Sequence, residues 1–432
     1  MQRAKLLLAS CTLSIALATT ASAQEKLIVL NEGSWQANNG RVTYFENGNI
    51  VSNKWFEEKN GYGIGDTPND IIQVNDTLIA IAVNWSNIVQ FIRPDGTAVA
   101  ATEDIPNNRK MTTDGRYVYV TSYAHECGSE TSADGYWQFV KGYVAKIDAA
   151  TFRVVDAVEV GYEPEGIAYY QGYLFVCNSG GYSFQEDHDY ERTVSVIDAE
   201  TMKVVKTIDT GCVNLYGNMS QTGKYLLISA AGDYYENAPS AIVFDCDKAL
   251  TDAPCFQILP YAATYNCATT DGQFFVVGSA FSYITYMNET NYLTVNPEVV
   301  MQSHGAEGIS ESLPGTVAEQ LSSMSAPYGI YVNPYTGYIY ATDAKSYAGA
   351  GELLQWTPDG HFVGRWKTYI CPGHFLALNP AIGVDINSAQ IRPSTTAVSA
   401  IYDLSGRRTS ERSKGIHIIR TQDGNFRKVL IR

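Results

Sequence analysis

Charge is scarce in this chain: Asp, Glu, Lys and Arg make up only 17% of its 432 residues. Long apolar runs are scarcer still, and after the opening segment none approaches the ~20 residues that a bilayer-crossing helix needs. No two cysteines stand in a C-x-x-C spacing, which removes the common zinc-ribbon pattern, and C-x-x-C-H, the haem-attachment signature, is absent as well. No G-x-S-x-G elbow occurs, and the histidines His125, His188, His304, His361, His374 and His417 have no Ser or Cys partner at motif spacing, so nucleophilic catalysis finds little support. Helix signals are few. A formal net charge of −15 disfavours nucleic acid and anionic membranes as partners.

What is present begins with an export signal. Arg3 and Lys5 precede an apolar run that ends in the small residues Ala21, Ser22 and Ala23, so residues 1–23 are expected to be a cleavable signal peptide. A rival reading takes Cys11 as a lipid-attachment site, with little apolar segment ahead of it. Removal of the signal leaves an odd set of seven cysteines, among which Cys246 and Cys255 are the best local disulfide pair. Buried reduced thiols on strands fit Cys177, Cys212 and Cys267. At the other end, Arg392 to Arg432 holds nine Lys or Arg against three Asp or Glu, which sets this tail apart from the acidic remainder.

Between the ends, short runs of Val, Ile, Tyr, Phe and Thr alternate with Gly, Asn and Asp turns, the pattern of antiparallel strands. The clearest unit reads PEGIAYYQGYLFVCNSGG and then TVSVIDAETMKVVKTIDTG, which predicts four strands: 165–169, 173–178, 193–198 and 203–209. In its DAET turn, Asp198 is placed to cap its own backbone. Similar units begin near Pro68, Arg109, Leu215, Tyr265 and Ala326, which gives six complete copies at the spacing of propeller blades. A seventh can be assembled from the ends: LIVLNEG, GRVTYF and NIVSNKWF lack an innermost strand, and GHFLALN near His374 lacks everything else. Joining them closes a ring and removes exposed sheet edges.

The expected architecture is therefore all-β: a seven-bladed β-propeller over residues 24–380, a linker over 381–391, and a small C-terminal β module over 392–432. The loops between second and third strands carry Trp35, Trp85, Tyr123, Trp137, Tyr182, Tyr234, Tyr235, Tyr283 and Tyr347, a candidate aromatic platform for a ligand. Asn69, Asp70, Glu165, Asn214, Asn266 and His374 fall where blade follows blade and are candidate channel-lining polar groups. Their oxygens are a candidate set for Ca2+, and turn capping is the simpler role for them.

The x-P-x-G-I starts and the V-I-D-x-x-T turn resemble those of YncE-like seven-bladed propellers. The opening VLNEGSWQANNGRVTYF is similar to a narrower branch, the surface propellers of Bacteroidota, to which the cobalamin-capturing BtuG type belongs. The tail's YDLSGRR, KGIHII and KVLIR resemble type IX secretion sorting signals. The resemblance implies a monomeric secreted or cell-surface protein without a transmembrane span, which binds a small molecule such as a corrinoid and hands it to a TonB-dependent outer-membrane transporter. The sorting tail departs from the lipid-anchored BtuG type. Two other expectations stay open beside capture: a metal-dependent hydrolase of lactonase type, and a protein-binding scaffold.

Overall fold

Runs rich in β-branched and aromatic residues, broken by turn formers every few positions, fold into short antiparallel strands. The computed structural model describes residues 25–125, 140–181, 190–233, 236–282 and 287–379, and the strands within 398–431. The side chains of 281–288 and of 398–431 are outside that description, as are residues 1–24 with the expected signal peptide and residues 380–397 with the expected linker. Contacts divide the chain into two units, residues 1–382 and 383–432.

The first unit holds seven four-stranded antiparallel sheets arranged as the blades of a propeller. Blade 4 matches the sequence reading closely: Pro164–Tyr170, Tyr173–Asn178, Thr193–Asp198 and Lys203–Asp209. Its turn works as expected, since Asp198 Oδ1 accepts from the Thr201 amide at 2.7 Å and the Thr201 hydroxyl at 2.9 Å. The same device recurs in blade 3, where Asp148 accepts from the Ala150 and Thr151 amides. Middle strands are packed on both faces and read as continuous apolar runs, as in Leu78–Val83, while outer strands such as Arg153–Tyr162 are mostly exposed.

Blade 1 is the composite one. Its innermost strand, Pro372–Ala377, pairs with Lys26–Asn31 in the register Leu27↔Ala377, Val29↔Phe375 and Leu30↔His374, and Arg41–Glu46 and Asn49–Ser52 complete the sheet. The seven innermost strands touch one another in cyclic order, the strand of blade 7 (Pro327–Val332) lying against that of blade 1. Each of the seven contacts between neighbouring blades also has its own apolar cluster. The cluster that seals the ring joins Leu27, Val29 and Phe45 of blade 1 to Tyr340 and Leu353 of blade 7, all fully buried. At roughly 1.5–3 kcal/mol per buried large side chain, this seam contributes substantially to holding the ring closed.

Two expectations need correction. NIVSNKWF is a strand only to Ser52. Trp55 and Phe56 begin a short helix, Trp55–Asn60, where burial against the contact between blades 1 and 2 outweighs their strand propensity. Cys246 and Cys255 are free thiols within the cluster between blades 4 and 5 and do not form a disulfide. No helix among the described residues is long and apolar enough to cross a membrane. The second unit contains one antiparallel sheet of Val398–Tyr402, Arg408–Thr409, Gly415–Thr421 and Phe426–Ile431.

Candidate functional site at the channel mouth

The entrances to the innermost strands share a local device. Cys371, Thr67, Asn107 and Glu163 adopt left-handed backbone (φ 50°, 56°, 46° and 48°) immediately before the inner strands of blades 1 to 4. In blades 2, 3, 4 and 7 the pairing register then shifts within the first residues, as at Pro68/Asp70 and Pro164/Ile167. Such bulges re-aim side chains, and here they turn the residues after the strand entrance into the channel. The glycine of the x-P-x-G-I start has a steric reason. A Cβ on Gly329 would lie 2.8 Å from Phe375 Cε2, and one on Gly166 would lie 2.7 Å from Met219 Cβ, so only glycine lets adjacent inner strands approach this closely.

Together these entrances enclose a cavity of about 1100 Å³. Its wall includes Asn69 and Asp70 from blade 2, Arg109 and Lys110 from blade 3, Glu165 from blade 4, Asn218 from blade 5, Tyr265 and Asn266 from blade 6, Tyr328 from blade 7, and Glu32 and His374 from blade 1. Tyr216, from the link between blades 4 and 5, closes the circle.

Two carboxylates organise the charge. Glu165, 1% exposed, accepts through Oε1 from Arg109 Nε and Nη2, both at 2.9 Å, and from the hydroxyl of Tyr123. The Arg109 guanidinium also lies 4.9 Å from the Tyr123 ring centre. Across the channel, Glu32 accepts from the Tyr328 hydroxyl at 2.7 Å through Oε2, and its Oε1 lies 2.8 Å from His374 Nε2. Burial pushes the Glu32 carboxyl up, but the hydrogen bonds of His374 and Tyr328 and the charge of Lys110 hold it below the ordinary glutamate range. Burial, helped by the Lys110 charge, also holds the His374 imidazole below its usual value against the opposing pull of Glu32 and Asp70. Burial and Glu32 raise the Tyr328 hydroxyl, so it stays protonated and donates. An ionised carboxylate can only accept, hence the hydrogen of His374 is on Nε2 and the lone pair is on Nδ1. Cys371, beside this group, is pushed up to about 11 by burial and by Glu32.

The rest of the wall mixes aromatic, amide and further charged groups. Tyr265 and Tyr328 have ring centres 6.3 Å apart, and Tyr347 meets Tyr328 edge to face at 5.7 Å. Lys110 Nζ donates to the Asn69 carbonyl at 2.8 Å, and Asp70 accepts from the Met111 amide at 2.7 Å. The side-chain carbonyl oxygens of Asn69 and Asn266 are buried with no hydrogen-bond partner, unused acceptors in residues that line the cavity.

Of the polar residues singled out in the sequence, Asn69, Asp70, Glu165, Asn266 and His374 line the cavity. Asn214 is buried away from it and donates to the Gly232 carbonyl at 3.2 Å. The aromatic set is divided. Trp35 and Trp85 meet edge to face at 5.0 Å with Trp35 64% exposed, and Tyr347 is also exposed. Tyr123, expected to face a ligand, is fully buried and supports Glu165 instead, because its hydroxyl gains a charged acceptor in the interior. Trp137, Tyr182, Tyr234, Tyr235 and Tyr283 lie outside the described residues. Sequence reasoning missed Arg109, Lys110 and Glu32 as site members. Superposing the repeat starts by register would have found the first two, which stand where other copies carry Asn69–Asp70 and Glu165–Gly166. Among the described residues no three His, Cys, Asp or Glu side chains converge as a metal-ligating group, so the Ca2+ expectation finds no ligand set there.

No protein-family model matches the sequence, and no curated protein matches it. Among solved structures, the chain is similar to hydrazine synthase of Kuenenia stuttgartiensis at 13% identity and a TM-score of 0.52, over 84% of this chain and 95% of that one. It is also similar to apo AztD from Citrobacter koseri at 11% identity and a TM-score of 0.45, over 82% and 98% of the two chains. The WD40 β-propeller domain of Doa1 follows at 8% identity and a TM-score of 0.44, over 73% and 86%. At such identities the likeness concerns the fold alone.

Proposed function

We propose that this chain is an exported capture protein of the cell surface whose channel mouth binds a large polar small molecule, with a corrinoid as the leading candidate and a TonB-dependent transporter as the recipient. The observation that carries the reading is the cavity of about 1100 Å³, walled at once by tyrosine rings, side-chain amides and paired charges. It exceeds the upper end, about 1,000 Å³, of typical small-molecule pockets, and its few polar groups converge from separate blades. A corrin macrocycle offers a broad face to Tyr265 and Tyr328, and its peripheral amides match Asn69, Asn218 and Asn266.

Binding is favoured over hydrolysis because three of the wall carboxylates are already engaged: Glu165 by Arg109, Glu32 by His374 and Tyr328, Asp70 by a backbone amide. The exposed Trp35, which meets half-buried Trp85 edge to face, favours a second use of the same face, docking of a protein partner, as propellers offer binding surfaces to both kinds of ligand. The test is retention. Purified protein mixed with cobalamin or cobinamide and passed through a desalting column is expected to carry the visible absorbance in the protein fraction. Elution of both corrinoids entirely with the salt removes the corrinoid reading.

A further inference from the structure

The pair Glu32 and His374 does more than close the ring. Tyr328 and His374 both donate to Glu32, which fixes the imidazole ring, puts its hydrogen on Nε2 and leaves Nδ1 as an electron-pair donor on a ring that lines the cavity. A histidine whose far nitrogen donates to a carboxylate, while its near nitrogen keeps the lone pair, is the arrangement proteins use to present imidazole to a metal. Yet among the described residues no three His, Cys, Asp or Glu side chains form a group that could hold a metal ion. One donor cannot hold a bare cation, but it is all that is needed by a metal complex that arrives with its other ligands in place.

We propose that His374 binds, through Nδ1, the open axial position of a metal centre carried by the ligand itself, with Glu32 as the positioning residue behind the ring. The inference rests on the capture reading above and narrows its ligand class to metal-centred macrocycles with an exchangeable axial ligand. The step is a substitution: a metal–water bond breaks, a metal–nitrogen bond forms, water leaves, and no electron is transferred. Lys110 and Asp70 face the same imidazole and set the charge around the bound centre.

Aquacobinamide, a corrinoid without its nucleotide base and with exchangeable axial water, is the probe. The full chain, the His374→Gln variant and the Glu32→Gln variant are each loaded, desalted and scanned in the visible range beside aquacobinamide mixed with free imidazole. His374→Gln keeps an amide donor toward Glu32, and an unfolding curve for each variant checks that the fold is intact. The expected result is an imidazole-like spectral shift in the wild-type complex that is lost in His374→Gln, with affinity about tenfold or more weaker in both variants. Retention with the unshifted aqua spectrum, or the same shift in His374→Gln, overturns axial ligation and leaves capture standing. Failure of wild type and both variants to retain the probe overturns corrinoid capture and axial ligation together.

Discussion

The two sides of the channel mouth use one backbone device for opposite chemistry. From blades 2 to 4 the strand entrances project Asp70, Arg109, Lys110 and Glu165, and from blades 5 to 7 the corresponding stretch projects Asn218, Tyr265, Asn266 and Tyr328. The first arc is ionic and internally compensated, and the second is aromatic and amide-bearing. Glu32 and His374, on the composite blade, stand between the two and take a hydrogen bond from the tyrosine side and charge from the lysine side. The difference teaches that the propeller fixes where a side chain points and leaves what it carries free to vary blade by blade.

The largest effect is expected from breaking the ionic arc. Glu165→Ala leaves the guanidinium of Arg109 buried without its counter-charge and should destabilise the protein by about 3–5 kcal/mol, read from the urea midpoint and slope. Tyr328→Phe removes a hydrogen bond to a charged acceptor at the meeting of the arcs, with an expected loss of about 1.5–3 kcal/mol in the same assay. On the aromatic arc, Tyr265→Ala should weaken ligand binding by about 0.5–1.5 kcal/mol beyond the lost contact area, measured by titration calorimetry with a retained corrinoid. Trp35→Ala, at the exposed rim, should change stability by less than about 0.5 kcal/mol, and a larger change would show that the rim tryptophans are structural.

Acid separates Glu32 from His374. Its depressed carboxyl means that the unfolded chain takes up a proton first, so stability present at neutral pH is lost as pH falls below about 4.3, the ordinary glutamate value. The depressed imidazole of His374 acts in the same direction but earlier, since the unfolded histidine protonates first below about pH 6.5. Urea midpoints followed from pH 8 to 2 should therefore fall in two steps. His374→Gln should abolish the upper one, and an unchanged upper step would mean that another group is responsible.

The fold was legible because its signals are local. Asp198 and Thr201 are three residues apart, and turn-forming residues punctuate each short apolar run, so blade 4 could be bounded almost to the residue. The composite blade was legible from complementary deficits at the two ends, a property of the repeat pattern. The site was legible only in part, because its pairings are distant: Arg109 meets Glu165 56 positions away, and Glu32 meets His374 342 positions away. Composition also cannot separate an aromatic ring that faces solvent from one that supports a buried carboxylate, which is why Trp35 and Tyr123 looked equivalent in the sequence. Trp55 and Phe56 misled for a related reason, since apolar bulk after a strand reads as more strand until tertiary packing turns it into a helix.

The seam between Lys26–Asn31 and Pro372–Ala377 has a consequence in time. A polypeptide leaving the ribosome holds Glu32 long before His374 exists, so the pocket is the last feature that the first unit acquires. Nascent or prematurely terminated copies that stop short of Pro372 lack both the closing strand and the histidine. Such copies lack the closed ring on which the cavity depends, so the pocket reports that synthesis has passed the last blade.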